Sequence, residues 1–149
     1  MVWLGPVSSF FDYLTFALMW FVVCPAACHG TWAELAVPGQ EGLSRGQLDF
    51  IVLFQTGWFI ESILTQTLVV HVIRSPRMPF IRARASWQLT MTTVAAVAFA
   101  VWLTFSPWVV PLGLNGAGLG PVYWGALLAM TVAYVALAHL IARPRLRAA

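Results

Sequence analysis

The sequence predicts an all-α polytopic membrane protein, a four-transmembrane-helix bundle that forms one domain over residues 1–149 and keeps both termini in the cytoplasm. Three observations predict this fold class. Of the 149 residues, 60% are hydrophobic and only 9% are charged, whereas a typical soluble domain carries about 25% charged residues. Apolar runs of membrane-spanning length occur four times, and the basic residues collect in alternate connections between them. A soluble monomer is therefore excluded, and we expect the lipid bilayer to be the main partner of the chain.

The four apolar runs cover residues 7–27, 50–73, 87–106 and 121–142. Each is about 20 residues long, which is enough for a helix to cross a hydrocarbon core roughly 30 Å thick at 1.5 Å per residue. A membrane β-barrel would show short segments of alternating polarity instead, and these runs do not alternate. Residues 1–5 carry no basic residue, and the first run is too long for a secretory signal, so we expect no cleavage.

The arginines predict which connections face the cytoplasm, since short loops rich in basic residues stay on that side. Seven of the eight basic residues lie between the second and third runs or after the fourth run. They are Arg74, Arg77, Arg82, Arg84, Arg143, Arg145 and Arg147. The first connection contains Arg45 and three acidic residues, and the third connection contains no charged residue. These two connections are predicted to face outward, which places both termini inside.

All basic residues are arginines, and the absence of lysine excludes several kinds of active site. The phosphate-binding P-loop needs a lysine, and so does Asp-Lys-Thr-Gly, the phosphorylation motif of ion-pumping ATPases. We therefore predict no catalytic and no nucleotide-binding residue in this chain. A nucleic-acid binder would carry its basic residues on a folded polar surface. Here they flank apolar runs, so no nucleic-acid partner is expected.

Two carboxylates fall inside the predicted membrane spans, where a charged side chain costs roughly 2.5 to 3.5 kcal/mol on insertion scales. Glu61 lies near the middle of the second span, and Asp12 lies about a quarter of the way into the first. At 100° per residue, four more polar side chains fall within about 140° of Glu61 on one side of the helix. They are Gln55, Ser62, Thr65 and Gln66. This polar arc is expected to face protein or water rather than lipid.

The residues leave the role of these groups open. Oxygen ligands suit hard cations such as Mg²⁺, so Glu61 is a candidate for handling a cation or a proton. The alternative is that Glu61 is protonated or hydrogen-bonded and holds helices together. Asp12 is open between packing and function in the same way. Cys24 and Cys28 flank a proline at the outer end of the first span, and their spacing does not form a complete zinc site.

Several uninterrupted motifs add a family resemblance that covers nearly the whole chain. GPVSSFFDYLTF at residues 5–16 resembles the opening of the seventh transmembrane helix of bacterial magnesium-transporting P-type ATPases. FQTGWFIES at 54–62, followed by TQTLVVH at 65–71, is similar to the eighth helix. MPFI at 78–81 and RAS at 84–86 resemble the link to the ninth helix, and FSP at 105–107 resembles its end. The chain thus resembles helices seven to ten, the end of the cation-transporting ATPase C-terminal domain.

The resemblance implies a membrane support bundle of a Mg²⁺ importer in the bacterial inner membrane. Mg²⁺ would be the transported ion, with no cofactor held by this chain. The family's nucleotide, phosphorylation and actuator domains and its six earlier helices are not in this sequence, so we expect a truncated or split C-terminal fragment. Its partners would be the remaining helices and cytoplasmic domains. In related cation pumps a carboxylate on the eighth helix contributes to an ion site, and Glu61 matches that position as a metal-ligand candidate.

A rival interpretation is a self-contained, four-helix, proton-coupled transporter that uses Glu61. That class usually places its membrane carboxylate in the first helix and has very short loops. Here the carboxylate lies in the second span, and the first connection is about 20 residues long. A remnant without function is a third possibility.

Overall fold

The computed structural model describes residues 4–39, 41–74 and 87–142, and within these ranges the chain is helical and contains no strand. Helix α1 (Leu4–Leu18) continues through a π-helical turn (Met19–Val23) into the short helix α2 (Cys24–Cys28). Helix α3 covers Arg45–Arg74, α4 covers Trp87–Thr104 and α5 covers Pro121–Ala142. Two short 3₁₀ helices, Pro107–Leu112 and Gly116–Gly118, connect α4 to α5. The predicted all-α class is confirmed.

Two of these helices, over Pro6–Cys28 and Arg45–Val70, are long and apolar enough to cross a membrane. Shorter apolar helices cover Thr90–Thr104 and Pro121–Leu137. The arginine-rich segments that predict the orientation, residues 75–86 and 143–149, lie outside the described residues. Four membrane crossings with cytoplasmic termini therefore stay a prediction.

The first helix passes through a proline without ending. Pro25 has no N–H group, so it cannot donate the hydrogen bond that an α-helix needs at that position. One residue earlier, the Cys24 N–H donates to the Met19 carbonyl, which is the wider spacing of a π-helix. The helix ends at His29, whose φ of 56° lies in the left-handed region. The next residue, Gly30, donates its N–H to the Pro25 carbonyl oxygen at 3.1 Å.

Helix α3 begins well before its apolar run because a capping box starts it. The Gln47 N–H donates to Ser44 Oγ at 3.1 Å, and the Ser44 N–H donates to Gln47 Oε1 at 3.0 Å. These two bonds satisfy backbone donors that a helix start otherwise leaves without partners. The helix is therefore anchored in the polar connection and runs for 30 residues.

Helix α3 is the centre of the arrangement, because it contacts α1, α2, α4 and α5, and α1 also contacts α5. One apolar cluster, around Met19, Phe50 and Tyr123, joins α1, α3 and α5 near the α2 end. A second cluster, made of Phe11, Met130 and Tyr134, joins α1 and α5 further along. The polar residues discussed next lie where these three helices meet.

Candidate functional site at the junction of three helices

Glu61 lies about 2 Å along the axis from the midpoint of α3, at 1.5 Å per residue. Its side chain is only 1% exposed. Neither carboxylate oxygen has a hydrogen-bond partner among the described residues. A buried carboxylate that accepts no hydrogen bond is energetically costly unless something neutralises it. Glu61 is therefore the side chain that most needs a proton or a cation in the described part of the chain.

Two groups from other helices face Glu61. Asp12 on α1 is a half-buried carboxyl group whose charge acts directly on Glu61. Tyr134 on α5 interacts electrostatically with both carboxyls. Its ring packs edge to face against Phe11, the residue before Asp12, with ring centroids 5.4 Å apart. This contact holds the Asp12 segment of α1 beside Tyr134, so the two carboxyls and the phenol share one junction.

The Tyr134 hydroxyl is also buried without a hydrogen-bond partner in the described ranges, and the residue is 0% exposed. A buried tyrosine hydroxyl normally finds a partner. Here the hydroxyl interacts electrostatically with Glu61 and Asp12. The junction thus contains one donor and two acidic groups that are not yet joined by hydrogen bonds.

Thr65 is buried beside Glu61, at 4% exposure, but its hydroxyl is already used. It donates to the backbone carbonyls of Glu61 and Ser62, at 3.1 Å each. This is the usual back-bonding of a threonine within a helix. The hydroxyl proton of Thr65 is therefore taken up by hydrogen bonds to the backbone, and only the lone pairs of the hydroxyl oxygen face the junction.

The structure does not bring the whole predicted polar arc together. Gln55, Ser62 and Gln66 line a groove of about 430 Å³ on another side of α3. Gln66 Nε2 donates to Ser62 Oγ at 3.1 Å, so these two residues interact with each other. Glu61, Thr65 and Asp12 form the junction, and the other three predicted residues form a separate surface.

Sequence reasoning did not identify Tyr134 as part of the site. Its only signal was a hydroxyl-bearing aromatic residue inside an otherwise apolar helix, PVYWGALLAMTVAYVALAHLIA. Tyr123, on the same helix, also interacts electrostatically with Glu61. Its hydroxyl, however, donates to the Gly57 carbonyl at 2.8 Å. Tyr123 therefore joins α5 to α3, whereas Tyr134 is available to the carboxyls.

The junction does not form a complete metal centre by itself. Within the described residues no three His, Cys, Asp or Glu side chains are grouped so that they could hold a metal ion. Mg²⁺ requires six oxygen ligands in near-octahedral geometry at 2.0–2.1 Å and usually keeps several waters. Asp12 and Glu61 can supply carboxylate oxygens, so the remaining ligands of any bound Mg²⁺ would have to be water or groups from elsewhere.

The two cysteines lie apart from this junction, at the C-terminal end of the first helix. Cys24 is buried, and its Sγ lies 3.8 Å from the Phe50 carbonyl oxygen on α3. Cys28 is half-buried, and both cysteines are free. Their contacts assign them no chemical role.

Comparison with known proteins decides the family. The family model described as "Cation transporting ATPase, C-terminus" matches residues 1–143. The chain belongs to this family. The magnesium-transporting ATPase, P-type 1, of Salmonella typhimurium strain LT2 is 39% identical over 141 residues. The protein of the same name from Escherichia coli K12 is 38% identical over 141 residues. Each match covers 95% of this chain, and the predicted resemblance to magnesium-transporting P-type ATPases is confirmed.

The chain spans 13% of the length of these relatives. As a member of the cation-transporting ATPase C-terminus family it is homologous to the C-terminal region of magnesium-transporting P-type ATPases. Family membership supports a membrane location and a part in cation transport.

Proposed function

We propose that this domain is the C-terminal membrane bundle of a Mg²⁺-importing P-type ATPase in the bacterial inner membrane. Four helices would cross the membrane, with the arginine-rich segments 75–86 and 143–149 in the cytoplasm. The family match over residues 1–143 and the similarity to magnesium-transporting P-type ATPases support this proposal. ATP hydrolysis would occur on the cytoplasmic domains of the ATPase, since this chain has no lysine for a phosphorylation motif.

The observation that carries the proposal is the buried Glu61 carboxylate, which has no hydrogen-bond partner among the residues that the structure describes. A negative charge at mid-membrane is tolerated only when it is paired with a cation or removed by a proton. In our proposal Glu61 supplies one oxygen ligand along the ion path. The neighbouring Asp12 carboxylate disfavours a second negative charge on Glu61 when no cation is bound, and the Tyr134 hydroxyl is a donor for the charged form. The other ligands come from water and from the ATPase helices ahead of this domain.

The test is Glu61→Gln in the assembled ATPase, which removes the charge and keeps the size of the side chain. We expect the apparent Mg²⁺ affinity of ATP-driven uptake to fall by about tenfold or more, as for loss of a group that supports a metal site. Glu41→Gln is the matched control, since Glu41 is an exposed residue of the first connection and should transport normally. Unchanged Mg²⁺ uptake by the Glu61 variant would remove Glu61 from the ion path.

The domain would act by docking onto the preceding helices, whether it is the end of a longer polypeptide or a separate, split one. This part of the proposal is tested by producing the chain together with a magnesium-transporting ATPase that lacks its own matching segment. We expect the two to co-purify from detergent-solubilised membranes and to restore Mg²⁺ uptake together. No association at comparable expression would contradict the docking role.

The pair formed by Asp12 and Glu61 also favours a second candidate, a self-contained four-helix transporter driven by protons. Two neighbouring carboxyls in a low-dielectric site can share one proton. This candidate predicts proton-driven flux across liposomes that contain the chain alone, and loss of that flux in the Glu61→Gln variant. Liposomes without any proton-driven flux would reject it and leave the ATPase role unaffected.

A further inference from the structure

Helix α3 also carries a groove that is separate from the Glu61 junction. Its walls combine amides and a hydroxyl with large apolar side chains from α3 and from the connection after α4. They are Gln55, Trp58, Phe59, Ser62, Ile63, Gln66, Leu112 and Leu114. From Gln55 to Gln66 the groove follows α3 for roughly 16 Å, about three helical turns. We call this surface the amide groove.

The two amides lie at membrane depth. Gln55 and Gln66 are about 7 Å and 10 Å along the axis from the midpoint of α3, while half a hydrocarbon core is about 15 Å thick. Both side chains are exposed on the surface of the chain. Lipid tails offer no hydrogen-bond partners, and an amide without partners in an apolar medium is costly. The amide groove is therefore poorly suited to face lipid.

The hydrogen bonds within the groove do not satisfy these amides. Gln66 donates one N–H to Ser62 Oγ at 3.1 Å, which leaves a second N–H and the amide oxygen for an outside partner. Gln55 lies beside the connection, close enough that a Cβ added to Gly113 would be 3.3 Å from its Oε1. Its amide group remains exposed there. Each glutamine can thus both donate to and accept from a side chain placed in the groove.

We propose that one transmembrane helix of the ATPase, from the part that precedes this domain, packs in the amide groove and presents a hydrogen-bonding side chain to Gln55 or Gln66. This inference rests on the proposed function. Three observations favour a helix. The groove is about three turns long, its polar groups lie one above the other along α3, and Trp58, Leu112 and Leu114 supply apolar walls that a water channel would not use. The relatives extend far beyond the matched 13%, so the rest of the ATPase can supply such a helix.

The first test replaces the amides with leucine in the complex of this domain and the ATPase body. Interhelical hydrogen bonds in membranes contribute about 0.6 to 2 kcal/mol each, which corresponds to about 3- to 30-fold in affinity. We expect Gln55→Leu with Gln66→Leu to weaken co-purification about tenfold or more. Thr92→Val is the matched polar-to-apolar control, because the exposed Thr92 hydroxyl already donates to the Gln88 carbonyl at 2.7 Å. Equal association of the double variant and wild type would overturn the proposal.

A second test does not depend on stability. A photo-crosslinking amino acid in place of Ser62, in the middle of the groove, should form a product with the ATPase body after illumination of intact membranes. Products formed only with a second copy of this chain, or only with lipid, would each overturn the proposal. The Glu61→Gln variant should still associate and crosslink, since Glu61 does not line the groove. Failure of the ion-path role and failure of the docking face are therefore distinguishable.

Discussion

Gly57 is the glycine at which an added methyl group should have a large effect, because the π-helical turn after α1 and helix α5 both pack closely against α3 there. A Cβ built on Gly57 would lie 2.5 Å from both Sδ and Cε of Met19 and 3.2 Å from Cε2 of Tyr123. Both neighbours are 0% exposed. The Tyr123 ring is also held in place by its hydroxyl, which donates to the Gly57 carbonyl at 2.8 Å. The Met19 side chain has to move for an alanine to fit at position 57.

Two opposing effects decide the outcome of Gly57→Ala. Overpacking of a filled core costs about 1–3 kcal/mol, while alanine in place of a mid-helix glycine gains up to about 1 kcal/mol of helix propensity. Sδ and Cε are the flexible end of the Met19 side chain, so part of the overlap can relax, although the side chain is fully buried. We therefore take the middle of the overpacking range, about 2 kcal/mol. Less the gain in helix propensity, the variant should be destabilised by about 1 kcal/mol. The assay is unfolding in mixed micelles with increasing sodium dodecyl sulfate, followed by far-UV circular dichroism.

Gly125→Ala on α5 is the matched control, because no atom of the described residues lies within 4 Å of the added Cβ. Only the helix-propensity gain applies there, so this variant should be neutral or slightly more stable. In the Met19→Ala background, which is itself less stable because a buried side chain is shortened, Gly57→Ala should be neutral or stabilising, since the shortened side chain leaves room for the new methyl group. If Gly57→Ala is as stable as Gly125→Ala, the close packing of Met19 on α3 is wrong.

Two further predictions concern single hydrogen-bonded groups. Tyr123→Phe removes the bond to the Gly57 carbonyl and should cost about 0.5–1.5 kcal/mol in the same unfolding assay; an unchanged midpoint would contradict a stabilising bond. The Thr31 N–H and hydroxyl donate to Glu34 at 2.7 and 2.8 Å, and these bonds lower the pKa of that exposed carboxyl. The stabilisation that these two bonds give the folded state should be complete above the ordinary pKa of a glutamate. It should be lost as the pH falls through the lowered pKa of Glu34. In NMR titrations Thr31→Val should raise the Glu34 pKa only part of the way, because the backbone donor remains.

The sequence predicts the helices well where hydropathy alone decides their limits. Helix α5 begins at the predicted residue 121, while α4 is already helical at residue 87, the first residue described after the gap at 75–86. Helix α3 begins at Arg45 rather than at residue 50, because the capping box of Ser44 and Gln47 starts the helix in the polar connection. Hydropathy marks the part of a helix that can lie in lipid, and hydrogen bonds set where the helix begins. The π-helical turn before Pro25 depends on backbone geometry that composition does not encode.

The candidate site is predicted only in part, because an angle on a helical wheel does not identify the neighbour. Thr65 lies about 40° from Glu61 at 100° per residue, and both are buried at the junction. Ser62, Gln55 and Gln66 lie about 100–140° away and line the amide groove instead. A single neighbouring helix packs against only part of the arc between Glu61 and Gln66, so the two ends of the arc have different neighbours. Tyr134 was missed since its contact with α1 joins residues far apart in sequence.

The distribution of polar groups around α3 bears on the choice between an ATPase domain and a self-contained transporter. Helices α1 and α5 enclose the Glu61 side of α3, and α4 packs along another part of it. Within the described residues, the amide groove is an open side of α3. A self-contained four-helix transporter would leave Gln55 and Gln66 facing lipid unless a second copy covered them. A helix that carries polar groups on two sides is better suited to be surrounded by protein, so the open groove favours assembly with further ATPase helices.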